Sequence, residues 1–98
     1  MNIYSKFRAI QNARTDADNA AIAAAKAATP AHLRRSFEVY RPFLTYDAQN
    51  GEAFVFVAEA SREQRDALVA IGGEIDHNGA GVKFPAARIA DIAAVIPA

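Results

Sequence analysis

The chain has 98 residues, no cysteine and a formal net charge of zero at pH 7. This length fits a single domain, residues 1–98, and the missing cysteine excludes disulfides, thiolate metal sites and cysteine catalysis. The first residues lack the apolar run of a signal peptide, and no run of about 18 apolar residues predicts a membrane span. The sequence therefore predicts a cytoplasmic protein with no membrane partner.

Charge and large apolar side chains are unevenly distributed along the chain. Residues 1–41 carry seven basic and three acidic groups, whereas residues 42–98 carry four basic and eight acidic groups. Alanine accounts for 24 of the 98 residues, and most of the larger apolar side chains follow residue 36. The asymmetry either marks a surface for an acidic or nucleic-acid partner or cancels where the two halves face each other.

Residues 1–36 are predicted to form a helical arm. Apolar residues recur at helical spacing over residues 3–14, and residues 20–28 are almost all strong helix formers. The segment from Thr15 to Asp18 has the pattern of a capping box, which predicts two abutting helices or one bent helix. Thr29-Pro30 predicts the end of this helix and the start of a short one.

Residues 37–71 are predicted to form a strand, a turn, a second strand and a helix. Residues 37–46 are β-rich, and Pro42 assigns this strand to a sheet edge or a kink. Ala48–Gly51 predicts a turn, and residues 53–58 are apolar on both faces, as in a central strand. Ser61–Gln64 is a second capping box, which predicts the start of a helix.

The same ββα order repeats over residues 74–96. Gly72-Gly73 ends the preceding helix, two short strands flank a hairpin signal at Asn78–Gly81, and Pro85 opens a last helix. The sequence thus predicts an α+β fold: a helical arm, then a ββαββα core over residues 37–98. Its four-stranded, mainly antiparallel sheet is expected to have both helices on one face. The residues predicted to be buried are Phe54, Val55, Phe56, Val57, Leu68, Ile71, Ile75, Phe84, Ile89 and Ile92.

Sequence motifs for catalysis or metal binding are absent. Glu74, Asp76 and His77 supply three metal-ligand types, but strand alternation directs His77 to the face opposite the other two. Ser61 is accounted for as a helix cap, and the glycine pairs lack the length and the following Lys of a phosphate loop. We therefore expect no enzyme activity, no metal and no cofactor.

Basic and aromatic residues concentrate in the first 41 positions. This combination is typical of surfaces that contact phosphates and stack on bases. The predicted partner-binding residues are Lys6, Arg8, Arg14, Lys26, Arg34, Arg35, Tyr40 and Arg41. In an alternative interpretation the acidic strands and helix mimic nucleic acid, through Glu59, Glu63, Asp66, Glu74 and Asp76.

The segment from Leu68 to Ile92 contains a helix, Gly72-Gly73, a hairpin, Phe84-Pro85 and a second helix. It resembles a unit found in several small phage and plasmid proteins, covers about a quarter of the chain and implies no role for any residue. The small size, the alanine-rich composition and the lack of catalytic motifs also resemble small mobile-element inhibitors, anti-CRISPR proteins among them. That resemblance implies inhibition of a host defence complex.

Three functional hypotheses follow. The leading one is a non-enzymatic binding protein that docks on a protein complex of the host or on a nucleoprotein. The second is a direct nucleic-acid-binding protein that uses the basic N-terminal third. The third is a homo-oligomeric structural protein, a homodimer packed through Ala17, Ala21, Ala24 and Ala28.

Overall fold

A computed structural model describes the backbone of residues 3–34, 41–77, 79 and 81–98, and the side chains of these residues from Thr15 onward. The helices are α1 Ile3–Ala28, α2 Arg62–Ala70 and α3 Ile89–Val95, with short 3-10 helices at Ala31–Leu33 and Ala86–Arg88. The strands are β1 Phe43–Gln49, β2 Glu52–Ala58, β3 Glu74–Asp76 and β4 Gly81–Pro85. Among these residues no helix is long and apolar enough to cross a lipid bilayer.

The four strands form one antiparallel sheet in the order β1-β2-β4-β3. The predicted α+β class and the four-stranded antiparallel sheet are confirmed, and β2 lies inside the sheet as its two apolar faces indicated. The first strand was predicted to begin at residue 37. β1 instead starts at Phe43, directly after Pro42, which has no N–H to donate. Residues 37–40 of that prediction lie outside the described residues.

A tight turn at Asn50-Gly51 joins β1 to β2. Both residues have positive φ, 55° and 76°, which is the signature of a type I′ turn. Gln49 and Glu52 pair directly across the hairpin. β1 therefore continues through Gln49, beyond the start of the predicted Ala48–Gly51 turn.

One face of the sheet carries the core. Val55 pairs with Phe84 and Val57 pairs with Val82, so these four side chains lie on the same face. Each of them is at most 1% exposed. The helical segments and β1 complete this cluster with Ala25, Leu33, Leu44, Leu68, Ile89, Ile92 and Ile96.

Four predicted core residues are less buried than expected. Ile75 is 51% exposed, so its predicted burial is wrong; it lies on β3, a three-residue strand at the sheet edge. Phe54 and Phe56 are half-buried and lie on the face opposite Val55, because successive side chains of a strand alternate. Ile71 is also half-buried and packs against the rim of the core.

Helix α1 is continuous from Ile3 to Ala28. Of the two alternatives predicted at Thr15, two abutting helices are therefore wrong. Asp18, the expected carboxylate of that capping box, instead accepts a hydrogen bond from the N–H of Gly51 at 2.7 Å. This tertiary bond fastens the middle of α1 to the β1–β2 turn, and the strong helix formers on both sides favour an unbroken helix.

From Thr15 onward, one stripe of α1 packs on the sheet. Ala25 is 4% exposed and Thr29 3% exposed, and Ala21 and Ile22 are half-buried. Small side chains along this stripe allow the helix to approach the sheet closely. The alanine seam predicted for a homodimer overlaps the stripe only at Ala21; its other members Ala17, Ala24 and Ala28 are exposed.

Both ends of α2 follow the local signals predicted for them. Ser61 Oγ accepts the Gln64 N–H at 3.1 Å, and the Ser61 N–H donates to Gln64 Oε1 at 2.9 Å, the reciprocal pair of a capping box. At the other end Gly72 has a φ of 105° and the Gly73 N–H donates to the Leu68 carbonyl at 3.0 Å. This is the hydrogen bond of a Schellman cap.

The two faces of the sheet predict different costs of truncation. Phe84→Ala should lower the free energy of unfolding by about 3–5 kcal/mol, because Phe84 is fully buried and its loss leaves a cavity. Phe56→Ala should cost only about 1–2 kcal/mol, since that ring is half-exposed. Urea denaturation of both variants measures the difference, and equal costs would contradict the assignment of the core to one face.

Packing of α1 predicts a difference between adjacent alanines. Ala25→Glu should destabilise the protein by about 2 kcal/mol or more, because it buries a carboxylate in the core. Ala24→Glu adds the same charge on the exposed side and should change stability by about 0.5 kcal/mol or less. Thermal unfolding tests both variants; equal melting temperatures would show that α1 does not pack as described.

Candidate partner-binding site

The predicted partner-binding residues divide into three groups. Lys26 lies in the last turn of α1, Arg34 follows the first 3-10 helix, and Arg41 is exposed just before β1. Lys6, Arg8 and Arg14 belong to α1, but their side chains lie outside the described residues. Arg35 and Tyr40 lie outside them altogether.

Lys26 and Arg34 meet at a groove of about 460 Å³ beside β1. Ala27, Leu44 and Tyr46 complete its lining, and we call this site the basic groove. The Lys26 Nζ atom lies 5.7 Å from the centre of the Tyr46 ring, within the range of a cation–π contact. The basic groove therefore combines two cations with an apolar and aromatic floor.

A buried hydroxyl holds Tyr46 in place. Thr29 Oγ1 donates to the Ala25 carbonyl at 2.8 Å. This bond uses the only hydrogen that the Thr29 hydroxyl can donate. The 2.7 Å contact between Thr29 Oγ1 and the Tyr46 hydroxyl must then have Tyr46 as the donor. Through this chain of two hydrogen bonds, the C-terminal end of α1 fixes the ring that lines the groove.

The sequence interpretation assigned Leu44, Tyr46 and Thr29 to local structure alone. The local pattern predicts that Leu44 and Tyr46 belong to a strand and that Thr29 caps a helix. In the structure Pro30 occupies the cap position without a side-chain hydrogen bond, and Thr29 bonds to Ala25 and Tyr46. Two-residue spacing does place Leu44 and Tyr46 on one face of β1, but it does not indicate which helix covers that face.

The residues considered as catalytic candidates make hydrogen bonds within the fold or lie on the surface. His32 Nε2 donates to the Ile96 carbonyl at 2.7 Å, which ties the 3-10 helix after α1 to the end of α3. Ser61 caps α2, and His77 is exposed. Within the described part of the chain, no three His, Asp or Glu side chains come close enough together to hold a metal ion.

Acidic residues concentrate at the sheet edge opposite β1. Glu74 is exposed and Asp76 half-buried on β3, the other edge strand. Glu59, which has a φ of 61°, lines a cavity of about 400 Å³ together with Asp76 and Arg65. This cavity mixes both signs of charge, whereas the described charged residues lining the basic groove are cations only.

Comparison with known proteins finds no match for this chain. No protein-family model, no curated protein and no solved structure matches the chain. The functional interpretation therefore depends on the residues themselves.

The hydrogen bond from Tyr46 to Thr29 can be measured by a double-mutant cycle. Thr29→Val and Tyr46→Phe should each lower stability, because each leaves a partly buried hydroxyl without its partner. The double variant should lose about 1 kcal/mol less than the sum of the two single variants. Urea denaturation of the four proteins gives this coupling, and additive losses would show that the two hydroxyls do not interact.

Proposed function

We propose that this chain is a non-enzymatic binding protein that docks on an acidic surface of a macromolecular partner. The observation that supports this proposal best is the convergence of Lys26 and Arg34 on the floor formed by Leu44 and Tyr46. Both cations are exposed, so they remain available to carboxylates of another molecule.

The composition of the basic groove suits protein recognition. Cations at the rim of an interface accelerate encounter and select for acidic partners, while buried aromatic and apolar contacts supply much of the affinity. Tyr46 offers such a contact at low entropic cost, because its ring is already held through Thr29. In this proposal Lys26 and Arg34 select for an acidic partner, and contact with the Tyr46 ring contributes to the affinity.

Helix α1 extends the proposed surface. It contacts the β1–β2 turn through Asp18, and its backbone continues past that turn to Ile3, about 22 Å farther at 1.5 Å per residue. Lys6, Arg8 and Arg14 lie on this extension. We propose that they belong to the same basic surface, together with Arg41, Arg35 and Tyr40.

Direct nucleic-acid binding is the second candidate. The Lys26 contact with the Tyr46 ring supports it, since single-stranded nucleic acids bind where cations meet stacking rings. The zero net charge of the chain and the acidic β3 edge oppose it, because binding to nucleic acid depends largely on positive charge. The charge of the chain therefore favours protein docking over nucleic-acid binding.

One concrete version of the proposal is an inhibitor of a host defence complex, of phage or mobile-element origin. Small size and a composition without catalytic motifs support this version. Acidic mimicry of nucleic acid through β3 and α2 is a variant of it. The homo-oligomeric alternative is supported by the exposed Ala17, Ala24 and Ala28, and sedimentation of the chain alone would reveal it as a dimer.

Charge reversal tests the basic groove. The Lys26→Glu/Arg34→Glu double variant should weaken binding of a labelled poly-glutamate peptide about tenfold or more, a loss of about 1.4 kcal/mol. Arg62→Glu/Arg65→Glu changes the net charge equally at exposed positions on α2 and should have a much smaller effect. Fluorescence anisotropy measures both.

Two results would contradict the proposal. Equal weakening by the two double variants would mean that only net charge matters and that the basic groove is not the site. Tighter binding of labelled single-stranded DNA or RNA than of poly-glutamate, lost in the Lys26→Glu/Arg34→Glu variant, would favour the nucleic-acid alternative instead.

A further inference from the structure

The turn after β1 decides which backbone groups of this edge strand point away from the sheet. In the type I′ turn at Asn50-Gly51, the Gln49 carbonyl accepts from the Glu52 N–H. In such a hydrogen-bonded pair, the N–H and the C=O of each residue point toward the partner strand. In the next residue along the strand, both groups point away from the partner strand, and this alternation continues. The groups that point away from β2 are therefore those of Leu44, Tyr46 and Ala48.

Neighbouring residues limit this outward edge to two positions. The Ala48 N–H already donates to Asp47 Oδ1 at 2.8 Å, and Pro42, before the strand, has no N–H. A strand that adds here would therefore pair with Leu44 and Tyr46, which contribute one donor and one acceptor each.

The same two residues form the floor of the basic groove. Their side chains line it together with Lys26 and Arg34, so a segment paired with this edge lies beside both cations. We propose that an extended acidic segment of a partner protein adds to β1 as a further strand, with its carboxylates directed at Lys26 and Arg34. This inference rests on the proposed function and specifies the chemistry and conformation of the partner.

An extended acidic segment contacts the cations, the apolar floor and the outward backbone groups of β1 at the same time. Alternate side chains of a strand lie on one face about 6.8 Å apart, so acidic residues at every second position reach the cations while the main chain pairs with β1. A partner helix would leave the outward groups of Leu44 and Tyr46 without hydrogen bonds. A small anion would leave the apolar floor of the groove uncovered.

Amide hydrogen exchange tests the proposal directly. The probe is a ten-residue peptide of alternating Glu and Val, added to the ¹⁵N-labelled 98-residue chain, with a peptide of alternating Lys and Val as the control. Saturating Glu-Val peptide should slow exchange of the Leu44 and Tyr46 amides about tenfold or more. The Thr45 amide, which is directed at β2, should change little.

Two charge variants separate binding at the basic groove from a general effect of charge. Lys26→Glu should abolish the added protection, whereas Arg62→Glu should leave it intact. Peptide binding that requires Lys26 but adds no protection at Leu44 and Tyr46 would overturn strand addition and leave the proposed function standing. Failure of the Glu-Val peptide to bind at all would overturn both. Protection of these amides that rises with protein concentration without peptide would assign the edge to a second copy, and would overturn the acidic partner segment as its occupant.

Discussion

The contact between α1 and the β1–β2 hairpin is the constraint on which the candidate site depends. Asp18 bonds to the turn at one end of the contact, and Thr29 bonds to Tyr46 at the other. Between them the buried Ala25 allows the helix backbone to lie close to the sheet. Lys26 and Tyr46 are distant in sequence, and only this contact brings them together. The basic groove is therefore a product of helix packing rather than of a local motif.

Strand order separates the charges of the chain. The basic groove flanks β1, whereas Glu74 and Asp76 lie on β3 at the opposite edge, with two strands between them. Two basic groups of residues 1–41 and two acidic groups of residues 42–98 thus lie at opposite edges of one sheet. Such a distribution orients a charged partner during encounter even when the net charge is zero.

The hydrogen bonds of His32 and Ser61 differ in kind from the contacts of the basic groove. The His32 ring and the Ser61 hydroxyl, two groups that perform catalysis in other proteins, here stabilise the ends of helical segments. Lys26 and Tyr46 contact each other and line an open groove. Such a preformed surface favours binding, because side chains that are already ordered lose less entropy when a partner binds.

The sequence by itself determined the features that depend on neighbouring residues. The capping box at Ser61, the glycine cap at Gly72-Gly73 and the Asn50-Gly51 turn all form through hydrogen bonds or backbone preferences that span a few residues. The apolar run of β2 likewise predicted an interior strand. Tertiary structure alone decided that Ile75 is exposed and that Lys26 and Arg34 share a groove with Tyr46. Each of these depends on which surfaces pack together, and packing brings together residues far apart in the chain, where local patterns carry no information.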